Sequence, residues 1–292
     1  MSEHRFDGRV AVVTGAGRGI GRAYAHLLAA LGAEVVVNDL GSSMEGDGVD
    51  AGPAFEVVAE ISAAGGTALA DTNDVSTPAG AHALVDWAVA EYGRIDALIN
   101  NAGIMRWAGM PDVDAAQLDQ HLAVHVGGSF NTTRAAWPHM VEQGYGRIVM
   151  TTSAGVFGLP KNTAYATAKG GVIGLARSLA TAGAQHGIKV NVIAPAAYTR
   201  MARGPDAGGM QPELVAPMAA FLAHEDCPVN GEIYLAGAGR FSRIFLATTE
   251  GYVNNAATIE DVARHWTEIN DETGYAVPAD LIAWAEQFTS HL

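Results

Sequence analysis

A single cysteine, Cys227, stands in the 292 residues, so no internal disulfide is available and a disulfide-stapled secreted domain is excluded. Charge is also scarce: 16% of residues are ionic, with 17 Lys and Arg against 31 Asp and Glu. The net charge of −14 argues against nucleic acid or an anionic membrane surface as a partner. No apolar run reaches the ~18 residues that a membrane-spanning helix needs. The opening MSEHRFDGRV has no apolar stretch, so no signal peptide is expected and the cytoplasm is the expected compartment. Glycine is plentiful, at 35 residues, but follows no period, which excludes collagen-like and solenoid architectures.

What is present is a large apolar fraction, 49%, arranged as short β-branched runs between longer Ala- and Leu-rich stretches. The runs cover residues 10–14, 34–38, 67–70, 95–100, 147–151, 188–193 and 232–235. Runs that are apolar throughout, rather than alternating, suit parallel strands covered on both faces. Between them, residues 20–31, 54–64, 78–92, 114–143 and 163–186 are long enough for crossover helices. This alternation predicts an α/β fold, a doubly wound parallel sheet of about seven strands. Two Gly-rich polar loops interrupt it: residues 41–53 read as an exposed connection, and residues 201–212 lie where a substrate lid is expected. Residues 240–292 read as a helical extension of the same domain as residues 1–239, with helices over 259–270 and 278–288. Its Trp266, Ile269, Leu281, Trp284 and Phe288 need cover, and a homodimer or homotetramer is expected.

The strongest local motif is Thr14-Gly15-Ala16-Gly17-Arg18-Gly19-Ile20-Gly21, between a strand and a helix. Glycines there let backbone approach a pyrophosphate at the helix N-terminus. The spacing is T-G-x-x-x-G-x-G rather than G-x-G-x-x-G, and no G-K-[ST] follows, which excludes an NTP-hydrolysing P-loop. Asp39, 18 residues beyond Gly21, can accept hydrogen bonds from an adenosine ribose and repel a 2′-phosphate. Arg18 favours the opposite choice, but Leu40 leaves no cation beside Asp39, so NAD is the expected cofactor. Tyr165 and Lys169 share one helix face, with Ser153 12 residues upstream just past a strand. A free Tyr titrates near ~10, and a neighbouring ammonium favours the phenolate needed to take an alcohol proton. His121 and His125 are spaced as metal ligands could be, but no HExxH or third ligand accompanies them and no metal is expected. Thr151 to Gly155 lacks the leading Gly of a hydrolase nucleophile elbow.

With TGAGRGIG, Asp74-Val75, Asn100-Asn-Ala-Gly103, Ser153 with Tyr165-Ala-Thr-Ala-Lys169, Asn191 and Pro195 to Thr199, the sequence resembles the short-chain dehydrogenase/reductase family over residues 7–240. Within it, VVVNDLG, RAAWPHM, YGRIVMTTSA, HEDCPVNG and AGAG look like the (3R)-hydroxyacyl-CoA dehydrogenase subgroup. The resemblance implies a Rossmann-type fold in which Gly15, Arg18, Gly19, Ile20, Gly21 and Asp39 hold the adenosine diphosphate half of the cofactor. It implies Asp74 and Val75 at the adenine, and Asn101, Ala102 and Gly103 near the ribose. Ile193, Pro195 and Thr199 would flank the nicotinamide. Tyr165 would be the acid/base, Lys169 would bind the nicotinamide ribose, and Ser153 would bind the substrate oxygen. Two positions depart from the family pattern: Ala196 replaces a Gly, and His125 stands at the catalytic Asn position. That Asn serves largely through its backbone carbonyl, which a change of side chain leaves in place.

The sequence therefore predicts an NAD(H)-dependent oxidoreductase that interconverts a secondary alcohol and a ketone, a 3-hydroxyacyl-CoA or a hydroxysteroid-like substrate. Lys161, Arg200 and Arg203 are the candidate cations for a CoA, and Arg106, Trp107, Met201 and Met210 are expected near the substrate mouth. Alternatives are a dehydrogenase of sugars or small diols, and a non-catalytic NAD-binding sensor or scaffold. The terminal Ser290-His291-Leu292 is similar to a peroxisomal address, which has meaning only in a eukaryotic cell.

Overall fold

The computed structural model describes residues 3–201 and 208–291. Among these, eight strands form one sheet: β1 (Val10–Thr14), β2 (Glu34–Asn38), β3 (Thr67–Asp71), β4 (Ala97–Asn100), β5 (Gly146–Thr151), β6 (Ile188–Pro195), β7 (Ile233–Gly237) and β8 (Arg240–Ile244). Their order is β3-β2-β1-β4-β5-β6-β7-β8, and the pairs from β3 to β7 are all parallel. The chain runs outward from β1 to β3, then returns to the far side of β1 with β4. The loops after β1 and β4 therefore diverge, which opens a crevice at that end of the sheet.

Parallel neighbours require crossovers, and the helices supply them: α1 (Gly19–Ala30), α2 (Gly52–Ala63), α3 (Pro78–Tyr92), α4 (Ala115–His121), α5 (Gly128–Gln143), α6 (Thr163–Gly183) and α7 (Ala216–Leu222). Local chemistry sets their ends. Thr77 caps α3 by accepting from Gly80 N at 3.1 Å, and Pro78 takes its first position. Gly93, at φ +76°, ends the helix in the left-handed conformation. A π-helical turn, Leu122–Gly127, joins α4 to α5 where one long helix was expected. Strand interiors from β1, β2, β4, β5 and β6 are buried almost without exception, as the continuous apolar runs require.

An eighth strand replaces the expected seven. Ala238 and Gly239 have φ of 50° and 72°, and this two-residue turn reverses the chain into β8. The chain divides into two compact units, Met1–Arg243 and Ile244–Leu292, where residues 240–292 were expected to extend the same domain as residues 1–239. The boundary moves because residues 240–243 belong to the sheet. The second unit contains α8 (Ile259–Arg264), α9 (Trp266–Ile269) and α10 (Leu281–Phe288), with a bridge between Thr248 and Ala276. His265 breaks the first expected helix in two. None of its three helices has a buried residue, and Ile259, Trp266, Leu281 and Phe288 are exposed. Among the described residues, no helix is long and apolar enough to cross a membrane.

A carboxylate ties the sheet together where β1 and β4 begin. Asp96 is buried and accepts from Val10 N at 2.9 Å, Arg9 Nη1 at 3.0 Å, Arg94 Nε at 2.7 Å and Arg94 Nη2 at 2.6 Å. Asp96→Ala strands the buried Val10 N–H while leaving both guanidinium groups able to reach water. The expected loss is about 1–3 kcal/mol of unfolding free energy. Urea denaturation checks it, and an unchanged midpoint would contradict this account of the clasp.

Candidate active site

Every segment with a predicted site residue emerges at the carboxyl end of a parallel strand or on the helix that follows. A cleft of about 510 Å³ lies there, within the range of small-molecule sites. The turn after β1 forms one wall. Gly15 sits at φ +63°, and a Cβ on it would lie 2.8 Å from Ala102 Cα. A Cβ on Gly21 would meet Gly15 O at 2.2 Å, so α1 can only approach the turn this closely with glycine there. No side chain caps the N-terminus of α1, and no acidic residue occupies its first turn. Its free N–H groups and positive dipole end suit a pyrophosphate.

Asp39, just past β2, has both carboxylate oxygens fixed by backbone: Gly17 N donates at 2.8 Å and Gly41 N at 2.7 Å. Lone pairs remain on each oxygen for ribose hydroxyls. Behind it, Asn38 donates to Asp71 at 2.6 Å and to Asn73 O at 2.9 Å, while Asn73 Nδ2 donates to Asp71 at 2.6 Å. This buried network holds the loop carrying Asp74 and Val75 against the cleft.

The expected exposure of residues 41–53 holds for Ser43 and residues 47–51 but not for the rest of the loop. Ser42 and Gly46 line the cleft, because Arg106 pins the loop. Arg106 donates to both oxygens of Asp47 at 2.8 and 2.9 Å and to Glu45 O at 2.9 Å. Arg106 is thus a brace. Arg18 and Arg200 converge on Ser42 O, at 3.4 and 3.0 Å, and bring two guanidinium groups to the same wall.

The opposite wall carries the candidate chemistry. Tyr165 and Lys169 project from α6 into the cleft. Lys169 Nζ is buried and donates to Thr151 O at 2.7 Å; it lies 5.6 Å from the Tyr165 ring centroid. Burial pulls its ammonium down to about 7. Burial also pushes the Tyr165 phenol upward, and hydrogen bonding from Ser153 opposes that rise. The expected lowering of the Tyr165 phenol by the Lys169 ammonium is thus not found in the protein alone. The low-dielectric wall favours the neutral form of both groups.

His125 lies in the π-helical turn, and its ring meets that of Tyr165 edge-on at 5.3 Å and 89°. Its Nε2 is 3.0 Å from Ile104 O, and Gly103 admits the ring: a Cβ there would lie 2.6 Å from His125 Cε1. Burial and Lys169 hold its imidazolium well below the ordinary range. The His125 carbonyl accepts from Ser129 Oγ at 2.7 Å. His121 stacks on His125 at 5.9 Å, but its Nδ1 donates to Gln117 O at 2.7 Å and its Nε2 accepts from Arg106 N at 3.2 Å. Both of its nitrogens are engaged by backbone.

Gly15, Arg18, Gly19, Ile20, Gly21, Asp39, Asp74, Val75, Asn101, Ala102, Gly103, His125, Tyr165, Lys169, Pro195 and Thr199 all line the cleft. Ser153 reaches it through Tyr165 rather than as a lining residue. Ile193 is the correction: its side chain is wholly buried in the core and its carbonyl accepts from Thr152 N at 2.8 Å. Position in the middle of a parallel sheet, between β5 and β7, leaves it no access. Of the expected cations, Arg200 lines the cleft, Lys161 is exposed outside its lining, and Arg203 lies outside the described residues, as does half of the expected lid. Leu292 of the terminal tripeptide also lies outside them. Sequence reasoning missed Thr151, which lines the cleft, and Asn73, whose signal was its place beside Asp74.

The fit of a nicotinamide dinucleotide can be judged from these groups. The uncapped helix end, the pre-set carboxylate and two buried polar atoms without partners, Thr151 Oγ1 and His125 Nδ1, all belong to residues lining one cleft. That donor and acceptor set suits such a cofactor.

Comparison with known proteins agrees with the resemblance noted above. The family model described as short chain dehydrogenase matches residues 9–205. A short-chain type dehydrogenase/reductase of Mycobacterium tuberculosis is 42% identical over 91% of this chain and 95% of its own. Peroxisomal multifunctional enzyme type 2 of Drosophila melanogaster is 43% identical over 91% of this chain, which spans 46% of that protein. The solved full-length structure of that fly enzyme superposes with a TM-score of 0.82 at 36% identity, over 98% of this chain and 49% of that one. A 7α-hydroxysteroid dehydrogenase, solved with NADH and 7-oxo glycochenodeoxycholic acid, gives 0.70 at 30% identity over 80% and 95%. The chain thus spans about half the length of the fly relative. Family model, relatives and structures converge: the chain belongs to the short chain dehydrogenase family, oxidoreductases that act on a CH–OH group.

Proposed function

We propose that the protein is an NAD(H)-dependent oxidoreductase that interconverts a secondary alcohol and a ketone, with a 3-hydroxyacyl-CoA or a hydroxysteroid-like molecule as substrate. The observation that carries the reading is the pair Tyr165 and buried Lys169 lining one cleft with the glycine turn and Asp39, with Ser153 behind Tyr165. The relatives support the substrate class: several are named peroxisomal multifunctional enzymes, others hydratase-dehydrogenase-epimerases, and one solved structure is a hydroxysteroid dehydrogenase. Asp39 supports NAD over NADP, because a carboxylate fixed by two backbone N–H groups cannot swing away from a 2′-phosphate. Arg18 and Arg200 would meet the diphosphate.

The residues divide the work as follows. Bound nicotinamide supplies hydride exchange at C4 and, when oxidised, a positive charge near the wall. Tyr165 takes the alcohol proton or returns it to the ketone oxygen, and Ser153 orients that oxygen. Lys169, its ammonium pulled down to about 7 by burial, is suited to hold a ribose hydroxyl and pass a proton on. The buried His125 ring is held neutral, and its backbone carbonyl, an acceptor only, is the part suited to holding a water on the proton path. We propose further that the chain works as a homodimer or homotetramer in the cytoplasm, or in the peroxisome of a eukaryotic cell. The exposed apolar side chains of the second unit support the assembly.

A panel of 3-hydroxyacyl-CoAs, hydroxysteroids and sugar alcohols, read by NADH absorbance, tests the substrate class; turnover confined to sugar alcohols would overturn it. Tyr165→Phe should lower kcat by about 10²–10⁴-fold, while His125→Asn should cost less than about tenfold. NAD should be preferred in kcat/KM, and Asp39→Ala should narrow or invert that preference. The Lys169 ammonium costs stability below pH ~7 and the cost fades as pH rises toward ~10.4. Lys169→Met should therefore melt no lower than wild type at pH 7, and should lack the wild-type gain between pH 7 and about 9.5, even as turnover collapses. Truncation after Arg243, which removes the second unit, should lower the assembly state in analytical ultracentrifugation; an unchanged mass per particle, corrected for the deletion, would refute the oligomer role of that unit.

A further inference from the structure

Far along the chain from the catalytic residues, the segment before β1 meets the loop that follows α7. His4, His224 and Asp226 place one ligand atom each within 4.8 Å of one another. None of the three lines the catalytic cleft. We propose that they form a divalent-cation site, with Zn²⁺ as the fitting ion and water completing the coordination.

The first argument is the lone-pair accounting at His224. Its side chain is 5% exposed, and Nε2 lies 3.0 Å from Arg5 O. A carbonyl only accepts, so Nε2 carries the hydrogen and the neutral ring presents its lone pair at Nδ1. That Nδ1 accepts from Asp226 N at 3.2 Å, yet also stands 3.4 Å from Asp226 Oδ2. A ring lone pair and a carboxylate oxygen at that distance repel unless a positive charge joins them. On the other side, His4 Nδ1 stands 3.3 Å from the same Asp226 oxygen.

The second argument is metric. With Zn–N and Zn–O bonds of about 2.0–2.1 Å, two ligands of a tetrahedron lie about 3.3–3.4 Å apart. The two distances to Asp226 Oδ2 match that edge. The third is the surrounding shell: a metal-bound imidazole characteristically donates its other N–H to a carbonyl or carboxylate, as His224 does to Arg5 O. Phe6 packs edge-on against His224 at 5.1 Å, and the His4 ring lies 5.1 Å from it, so the rings are held rather than free to swing. His4 and Asp226 are about half exposed, which gives an ion a path in and leaves a position for water. Two imidazoles and one carboxylate favour a borderline ion over Mg²⁺ or Ca²⁺. The amide of Asp226 competes for the His224 lone pair, so affinity should fall below that of a closed four-ligand site. A bound ion would clamp residues 4–6 to the loop after α7 and act on stability, not on turnover.

The test uses the full chain with any affinity tag removed, stripped with EDTA and titrated with Zn²⁺ by calorimetry. One equivalent should bind, and His4→Ala and Asp226→Ala should each weaken binding by at least about tenfold. Zn²⁺ should raise the melting temperature of wild type but not of His4→Ala, with kcat alike in both. Co²⁺ should give the visible bands of a four-coordinate site in wild type and lose them in either variant. Absence of stoichiometric uptake, or uptake unchanged in His4→Ala, would overturn the site. So would a stability that follows pH but ignores Zn²⁺, since a proton alone would then join the three groups.

Discussion

The site depends on one clasp across the point where the strand order reverses. Thr14, the last residue of β1, accepts from Asn101 N and Ala102 N, each at 3.0 Å, through its hydroxyl. Asn101 returns the contact by donating to Thr14 O and Gly15 O, each at 3.0 Å. The loops leaving β1 and β4 would otherwise diverge, because their chains cross the sheet in opposite directions. The clasp fixes their separation, and with it the distance between the glycine turn after β1 and the wall carrying Tyr165. It also sets the glycines: Gly15 lies against Ala102, and Gly21 against both Gly15 and Asn101.

A second constraint is the dielectric of the far wall. Burial pulls Lys169 toward neutrality and lifts the Tyr165 phenol, so the two groups do not ionise each other unaided. Both ionised forms are costly in that environment, and a bound cationic ring would change the balance. The same burial keeps His125 neutral and turns its side chain into packing for Gly103 and Tyr165. The π-helical turn, not the side chain, presents the His125 carbonyl, which accepts from Ser129 Oγ.

Much of this was legible in the residues. Continuous apolar runs separated by helical stretches can satisfy their burial only in a parallel sheet covered on both faces, so the doubly wound order follows from pattern. The turn after β1 was legible because its glycines answer a local steric demand. Ile193 misled because proximity in sequence to Pro195 says nothing of side-chain direction, and in β6 it points into the core. That Ser42 and Gly46 of the loop line the cleft was hidden because the loop's anchor, Arg106, lies 59 positions from Asp47 along the chain. The eighth strand was hidden by its sequence, Arg240 to Ile244, which is exposed and lacks the apolar character of the others.

The amino-acid sequence by itself determined the fold class, the glycine turn after β1 and the spacing of Ser153, Tyr165 and Lys169, since each rests on short-range spacing or on a periodic demand for burial. Tertiary structure alone decided what those groups become once brought together. The charge state of Lys169, the brace that Arg106 makes and the meeting of His4 with His224 and Asp226 depend on contacts between distant segments. Spacing along a chain carries no information about desolvation or about which far residue fills the next lattice of contacts. Those are set by packing, where the fold places its neighbours.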